Sequence, residues 1–319
     1  QTRLAQAVNT TDELLRILQI DPAQLKTRPL DNSFPLRVPR GFVQRMRKGD
    51  CHDPLLLQVL PVQQEAQTAA GFVPDPLDEL NNMPVPGLLH KYQGRALLTA
   101  TGACAIHCRY CFRRHFPYTD ANPLADQWQQ SVDYVAQHKD ITELILSGGD
   151  PLTLTDARLH SLTEQLADIR HLQTLRIHSR LPVVLPERVD TGLLAWLASQ
   201  QLKVVMIIHC NHPNEIDTEV CEAMTRLRHA GVTLLNQSVL LRGINDSSAT
   251  LIKLSERLFA AGVLPYYLHQ LDKVEGAAHF EVDLSSARQL LAEVAASLPG
   301  YLVPRLVQET PGMPGKTPL

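Results

Sequence analysis

From about Leu97 onward, short apolar runs alternate with stretches of helical period. The runs at 96–100, 143–146, 174–178, 203–208, 233–235 and 264–268 are apolar and too short for helices, which predicts strands. Between them, 127–138, 156–169, 191–199, 217–229 and 248–261 bring apolar residues back every three or four positions, which predicts amphipathic helices. After the first unit the strand starts recur roughly every 30 residues, the length of a βα unit. Six such units predict an α/β fold, a partial (β/α)6 TIM-like barrel with helices outside. A last helix at 286–298 leads to 301–306, a candidate for one more strand.

The first 90 residues follow another pattern. Thr11-Asp12-Glu13-Leu14-Leu15-Arg16-Ile17-Leu18 predicts an amphipathic helix with Thr10 or Thr11 as its N-cap. Prolines then come often (Pro22, Pro29, Pro35, Pro39, Pro54, Pro61, Pro74, Pro76, Pro84, Pro86) and forbid long regular elements. This predicts a helical and irregular adaptor, 1–90, wrapped on a barrel spanning 91–319 and not folding alone.

Composition narrows the class. A chain of 319 residues with 44% hydrophobic and 20% charged residues carries enough material for a large enzyme core. A net charge of −3 argues against a non-specific nucleic-acid binder. No apolar run is long enough to span a bilayer and no signal-peptide core precedes the helix, so neither membrane nor export is expected. Three scattered cysteines (Cys51, Cys210, Cys221) fit a reducing cytoplasm. A start at Gln1 leaves room for preceding residues in the native chain.

The chemistry concentrates in Cys104-Ala105-Ile106-His107-Cys108-Arg109-Tyr110-Cys111, directly after the first barrel strand. Thiolates at C-x3-C-x2-C spacing can hold three irons of a [4Fe–4S] cube and leave the fourth open to a ligand. Zinc would want a fourth ligand at short spacing, and His107 or His115 are awkwardly placed for it. A disulfide framework belongs to small secreted domains, and buried structural cysteines would not cluster so tightly.

The ends of the other predicted strands are polar as well, as functional loops at the C-terminal rim of a barrel are. Ser147-Gly148-Gly149-Asp150-Pro151 is either a tight turn before a helix or a loop whose backbone meets a ligand. His178, Arg180, His209, Asn211, His212 and Gln237 suit a polar cavity, though each is equally a satisfied rim residue. Lys316, after Pro311-Gly312-Met313-Pro314-Gly315, reads on its own as a solvated tail.

The triplet after a strand resembles the radical S-adenosylmethionine superfamily, whose glycine loop meets the amino group of S-adenosylmethionine. More specifically, Asn211-His212-Pro213-Asn214-Glu215 and Leu240-Leu241-Arg242-Gly243-Ile244-Asn245-Asp246, with the cysteine loop, resemble the lysine 2,3-aminomutase family from about Leu88 to the C-terminus. The resemblance implies an isomerase that moves the amino group of L-lysine from α to β, using a [4Fe–4S] cluster, S-adenosylmethionine and pyridoxal 5′-phosphate (PLP). It puts the cluster on Cys104, Cys108 and Cys111, and S-adenosylmethionine near Gly148, Gly149, Asp150, His209 and Gln237. PLP falls on Lys316, with its phosphate on Arg95 helped by Lys91. The substrate carboxylate falls on Arg113, whose planar fork suits it, and the distant ammonium on Asp272 and Glu309. Met313 and Pro314 depart from a more glycine-rich family loop, and Glu309 replaces a family Asp.

Ending just past Lys316, with Cys111-Phe112-Arg113-Arg114-His115-Phe116-Pro117-Tyr118, the chain looks like the shorter family members that serve bacterial elongation factor P. That likeness implies (R)-β-lysine as product, a functional link to elongation factor P and its lysyl-transferring ligase, and an external electron donor. It also implies a cytoplasmic site, with neither nucleic acid nor membrane as partner.

Overall fold

A computed structural model describes residues 2–25, 34–118 and 128–319; the Pro29 breaker and the Gln127 helix start lie outside the described residues. Nine strands form one sheet in chain order: β1 Leu88–Tyr92, β2 Arg95–Thr101, β3 Glu143–Gly148, β4 Thr174–Ser179, β5 Lys203–His209, β6 Thr233–Val239, β7 Leu264–His269, β8 Arg305–Gln308 and β9 Thr317–Pro318. From β2 to β8 every pairing is parallel, while β1 and β9 run antiparallel at the two edges. Among the described residues β1 and β9 do not pair, so the barrel stays open. The six expected βα units are β2 to β7, and β8 adds a seventh parallel strand.

Alternation along the strands decides what faces inward. On β4, Leu175 and Ile177 are fully buried in the core, whereas Arg176 and His178 line the central cavity. Five outer helices start on a polar side chain that accepts from their first free N–H groups: Thr155, Asp190, Asp217, Ser247 and Asp283. The last of these caps move one predicted boundary. Asp283 Oδ1 accepts from Ser286 N at 2.9 Å, so the helix runs Leu284–Ser297 and not 286–298. The predicted strand at 301–306 begins only at Arg305, because Gly300–Leu302 forms a 3-10 turn and Pro304 has no N–H to give a ladder.

The helix Thr11–Leu18 forms as its pattern predicts, with Thr10 accepting from Glu13 N at 3.3 Å. Leu14, Leu15 and Leu18 join the same apolar cluster as Leu144 and Leu175 of the barrel. Polar ties reinforce the contact. Glu65 accepts from the guanidinium groups of Arg109 and Arg114, all three buried, so the first 90 residues grip the cysteine loop itself. Breaking such a buried pair costs about 3–5 kcal/mol. The step from irregular chain to sheet comes at Leu88, where β1 begins.

Candidate active site

One cavity of about 500 Å³ opens at the strand C-termini. Cys104, Cys108, Cys111, Arg113, Gly148, Gly149, Asp150, His209, Gln237, Asp272, Glu309, Lys316, Lys91 and Arg95 all line it. The fold therefore brings these residues to one rim, but several of their side chains already have partners.

The cysteine loop leaves β2 and is clamped from three sides. Arg109 N donates to Gln58 O at 2.9 Å, Gly149 N to Thr101 O at 2.7 Å, and Asp150 N to Ala103 O at 2.8 Å. Burial, then the neighbouring Cys111, Asp150 and Cys108, pushes the Cys104 thiol well up. Burial and Cys108 push Cys111 up to about 11. Cys104 and Cys111, raised by burial and by their neighbours, would lose their protons readily only to a cation, which suits a thiolate-liganded metal group. Among the described residues no three His, Cys, Asp or Glu side chains converge on a single ion, as a zinc site requires. A cube takes each sulfur on a different iron, so the donor set fits the cluster.

The two glycines are demanded by the protein itself. Gly148 has φ of +111° and a Cβ there would lie 2.6 Å from Thr101 O; one on Gly149 would press into the Ala103 carbonyl. Their permissiveness lets the Ser147–Asp150 loop pack backbone-to-backbone on the cysteine loop. Asp150 is likewise spent on the protein. Its Oδ1 accepts from Ser179 Oγ at 2.8 Å and Leu152 N at 3.1 Å, its Oδ2 from Arg180 N at 2.8 Å and Leu181 N at 3.0 Å. With all four acceptor positions used, its role here is to hold the loop rather than to meet a ligand.

Arg113 is buried, and its Nε and Nη2 both donate to Glu79, each at 2.7 Å. Nη1 donates to Ser147 Oγ at 3.1 Å. The side-on edge of the fork is thus taken and Nη1 also donates to Gly148 O at 3.4 Å, so the second N–H of Nη2 is the least committed donor.

Basic and acidic groups meet at the opposite end. Lys316 Nζ donates to Glu309 Oε2 at 2.9 Å, and Lys91 Nζ donates to Glu309 Oε1 at 3.3 Å and to Leu77 O at 2.7 Å. Burial alone would raise Glu309, but Lys316, Lys91 and the Tyr92 hydroxyl outweigh it and hold its carboxyl down at about 2. The Asp272 carboxyl has no hydrogen-bonded partner among the described residues; burial pushes it up to about 7, against the pull of Lys316. Lys91 stands with the acids, whereas Arg95 lies over the Tyr92 ring at 4.7 Å and within 3.8 Å of a Cβ placed on Gly315. Arg95 has no acid partner among the described residues, and His178 Nε2 is buried with no hydrogen-bond partner. A free guanidinium, an orphaned imidazole nitrogen and a lysine amine in one place fit a phosphorylated aldehyde cofactor.

The tail reading of Lys316 does not hold. Thr317 and Pro318 pair with Gln308 and Val307 as β9, so the segment is the return arm of a hairpin that carries Lys316 back over the cavity. His209 is neutral, pushed down to about 3 by burial and then by Arg180, and its Nε2 lies 2.9 Å from Tyr110 Oη. Gln237 faces the cavity from β6. Asn211 and His212 do not add contacts there. Asn211 is fully buried in a hydrogen-bond network with Tyr110, Gln58 and Val239, and His212 Nδ1 accepts from Asn214 N to cap its own turn. Residues missed in the sequence are Glu79, Tyr92, Tyr118 (which donates to Gly148 O at 2.8 Å) and Arg176. For Arg176 a signal existed, namely a charge inside a buried parallel strand; Glu79, in a proline-rich stretch, offered none.

Comparison with known proteins bears on this arrangement. The pattern of a 4Fe-4S single cluster domain matches residues 93–175. L-lysine 2,3-aminomutase of Escherichia coli K12 is 52% identical over 100% of this chain and 93% of its own length. The enzyme of that name from Haemophilus influenzae is 50% identical over 89% of this chain and 84% of its own, and that from Clostridium subterminale 38% identical over 90% and 69%. A solved radical SAM methyltransferase from Sphaerobacter thermophilus overlaps 69% of this chain and 68% of its own at 16% identity, with a TM-score of 0.49. With half of its residues shared with one such enzyme across the full chain, and a cysteine triplet, glycine loop and hairpin lysine around one cavity, the chain belongs to the lysine 2,3-aminomutase family, isomerases of the radical SAM type.

Proposed function

We propose that this enzyme converts L-α-lysine to (R)-β-lysine by a 5′-deoxyadenosyl-radical, PLP-dependent shift of the amino group, and that the product serves modification of elongation factor P. The observation that carries the chemistry is the Lys316–Glu309 contact at 2.9 Å inside the cavity that the three cysteines line. An amine able to hold an aldehyde, an acid able to hold a second amine, and a cluster loop share one enclosed space.

Cys104, Cys108 and Cys111 hold the cluster, and the Gly148–Gly149 backbone, His209 and Gln237 surround S-adenosylmethionine. Lys316 anchors PLP, with Arg95 on its phosphate. When bound, the cluster with S-adenosylmethionine supplies a carbon radical by one-electron reduction, and PLP supplies a conjugated π-system for the migrating nitrogen. The protein's part is positioning. Arg113, fixed by Glu79, offers its uncommitted Nη2 N–H and its positive charge to the substrate carboxylate. Asp272 and Glu309 take the distant ammonium once Lys316 has left Glu309, and an acid pair there repels substrates with acidic side chains. Lys91 stays on Glu309 and keeps the second carboxylate from carrying its charge alone. Enclosure keeps water from a reactive radical.

The test is anaerobic incubation with lysine, S-adenosylmethionine, PLP and a reductant, with chiral analysis of the product. Formation of β-lysine, together with an imine absorbance band that Lys316→Ala abolishes, is expected; a PLP-independent product would refute the reading. Supplying the product to elongation factor P and its lysyl-transferring ligase tests the pathway, and equal transfer of α-lysine would refute that part.

A further inference from the structure

Arg180, at the end of β4, is buried and uses both arms of its fork. Nη2 donates to Gln58 Oε1 at 2.7 Å and Glu215 Oε2 at 3.0 Å. Nη1 donates to Tyr110 Oη at 2.7 Å and to the sulfur of Cys108 at 2.7 Å. Its own backbone N–H is fixed by Asp150 Oδ2 at 2.8 Å. The anchor is itself anchored: Glu215 Oε1 accepts from Asn211 N at 2.9 Å, His212 N at 3.0 Å and Gln58 Nε2 at 3.1 Å.

The three sulfurs are therefore not equivalent. Among the described residues Cys108 receives a charged N–H, Cys111 receives a backbone N–H from Arg113, and Cys104 receives no hydrogen bond. Reduction adds one electron to a cluster and with it one negative charge, part of which resides on the sulfur ligands. A cationic N–H aimed at one of them stabilises the reduced form more than the oxidised form, and so raises the midpoint potential. Glu215 cancels much of the net charge of Arg180 at a distance. What survives at the sulfur is the directed hydrogen bond, in surroundings where such a bond is strong.

We propose, building on the cluster reading above, that Arg180 is a redox-positioning residue: its Nη1–H on Cys108 sulfur makes the cluster easier to reduce by the external one-electron donor. The Asn211–Glu215 turn and Gln58 exist in part to hold that guanidinium. The step is one electron from donor to cluster, with no proton and no bond change.

The experiment is an EPR-monitored redox titration of the anaerobically reconstituted, S-adenosylmethionine-free chain, alongside iron and sulfide content and thermal melting. The variants are Arg180→Lys, which keeps a cation for Glu215 but cannot span both anchors, and the double variant Arg180→Met/Glu215→Gln, which leaves no buried charge unpaired. In variants with a full cluster, the reduction equilibrium is expected to fall about tenfold, ~59 mV for a one-electron couple. A change of less than threefold in a fully loaded variant overturns the proposal. A wild-type reading stands independently of any variant's folding. With 15N-guanidino-labelled arginine, pulsed EPR of the reduced cluster should show a nitrogen coupling, and its absence overturns the proposal too. Failure of the wild-type chain to take up sulfide would instead refute the cluster reading on which this rests.

Discussion

Replacing Glu309 by Gln removes one charge from the ammonium end of the cavity while keeping shape and hydrogen-bonding atoms. Glu309 is held at about 2, against a reference of 4.5, while largely buried. That depression corresponds to roughly 3 kcal/mol of preference for the charged form. A charge-assisted hydrogen bond is worth about 1.5–3 kcal/mol net, so the two figures agree in scale. In the ligand-free chain this energy belongs to Lys316 and Lys91; under the proposed function the share held by Lys316 passes to the substrate ammonium in the loaded enzyme. Losing it should raise KM for lysine about 10- to 150-fold with a much smaller change in kcat. Norleucine, which has the chain but no ammonium, should lose its disadvantage in binding by the same factor. The carboxyl also imposes a stability step: its depressed pKa contributes stability above the unfolded value and gives it up as pH falls toward about 2. In Glu309→Gln that acid-side step should vanish from chemical denaturation curves. A lysine KM within threefold of wild type, with the Lys316 imine band intact, would show that Glu309 does not read the substrate.

Asp272 has the opposite sign: raised to about 7, it favours the fold at low pH and withdraws that stability as pH rises through 7. Asp272→Asn should therefore stabilise the ligand-free protein at pH 8, by at most about 4 kcal/mol, and change little at pH 4, as read by thermal melting. Gly149→Ala drives a methyl group into the Ala103 carbonyl, so the cysteine loop must shift; iron and sulfide uptake should drop severely while far-UV circular dichroism persists. Glu79→Ala strips buried Arg113 of both its 2.7 Å bonds and should cost about 3–5 kcal/mol in urea denaturation.

The barrel is legible because its signals are local. Runs such as Glu143–Gly148 and Lys203–His209 have the length and burial of inner parallel strands, and the capped helices between them carry a 3.6-residue period. β1 and β9 escaped for the same reason: Thr317–Pro318 is two residues long and exists only because β8 offers an edge. That edge turns an apparent tail into the arm carrying Lys316. At the site, which residues share the cavity was legible and which partners hold them was not. Arg113 looks free in sequence but is held by Glu79, a residue 34 positions earlier that only the folded adaptor brings there. The stretches Asn211–Glu215 and Leu240–Asp246 carry the family resemblance in the sequence. In the fold they are braces: Asn245 ties Leu241 N, Asn211 O and Val239 O together, and Glu215 holds Arg180.

What the protein contributes along the cavity is fixed charge rather than mobile protons. Burial, before any neighbouring charge, pushes His178, His209 and His269 down, so all three stay neutral at physiological pH. Arg113 and Arg180 are permanent cations bound to buried acids. An enzyme working by general acid–base catalysis would keep a group poised near neutrality beside the reacting atoms. Here the group with that property is Asp272, which sits with Glu309 and Lys316 at the end of the cavity proposed to take the substrate ammonium. An arriving cation would ionise it and so strengthen its own binding. Hydrogen-atom transfer needs no protein proton, and a radical is safest among groups that have none to exchange. The division into a protonically silent middle, a thiol loop at one end and an amine–acid pair at the other is what a radical amino shift asks of its container.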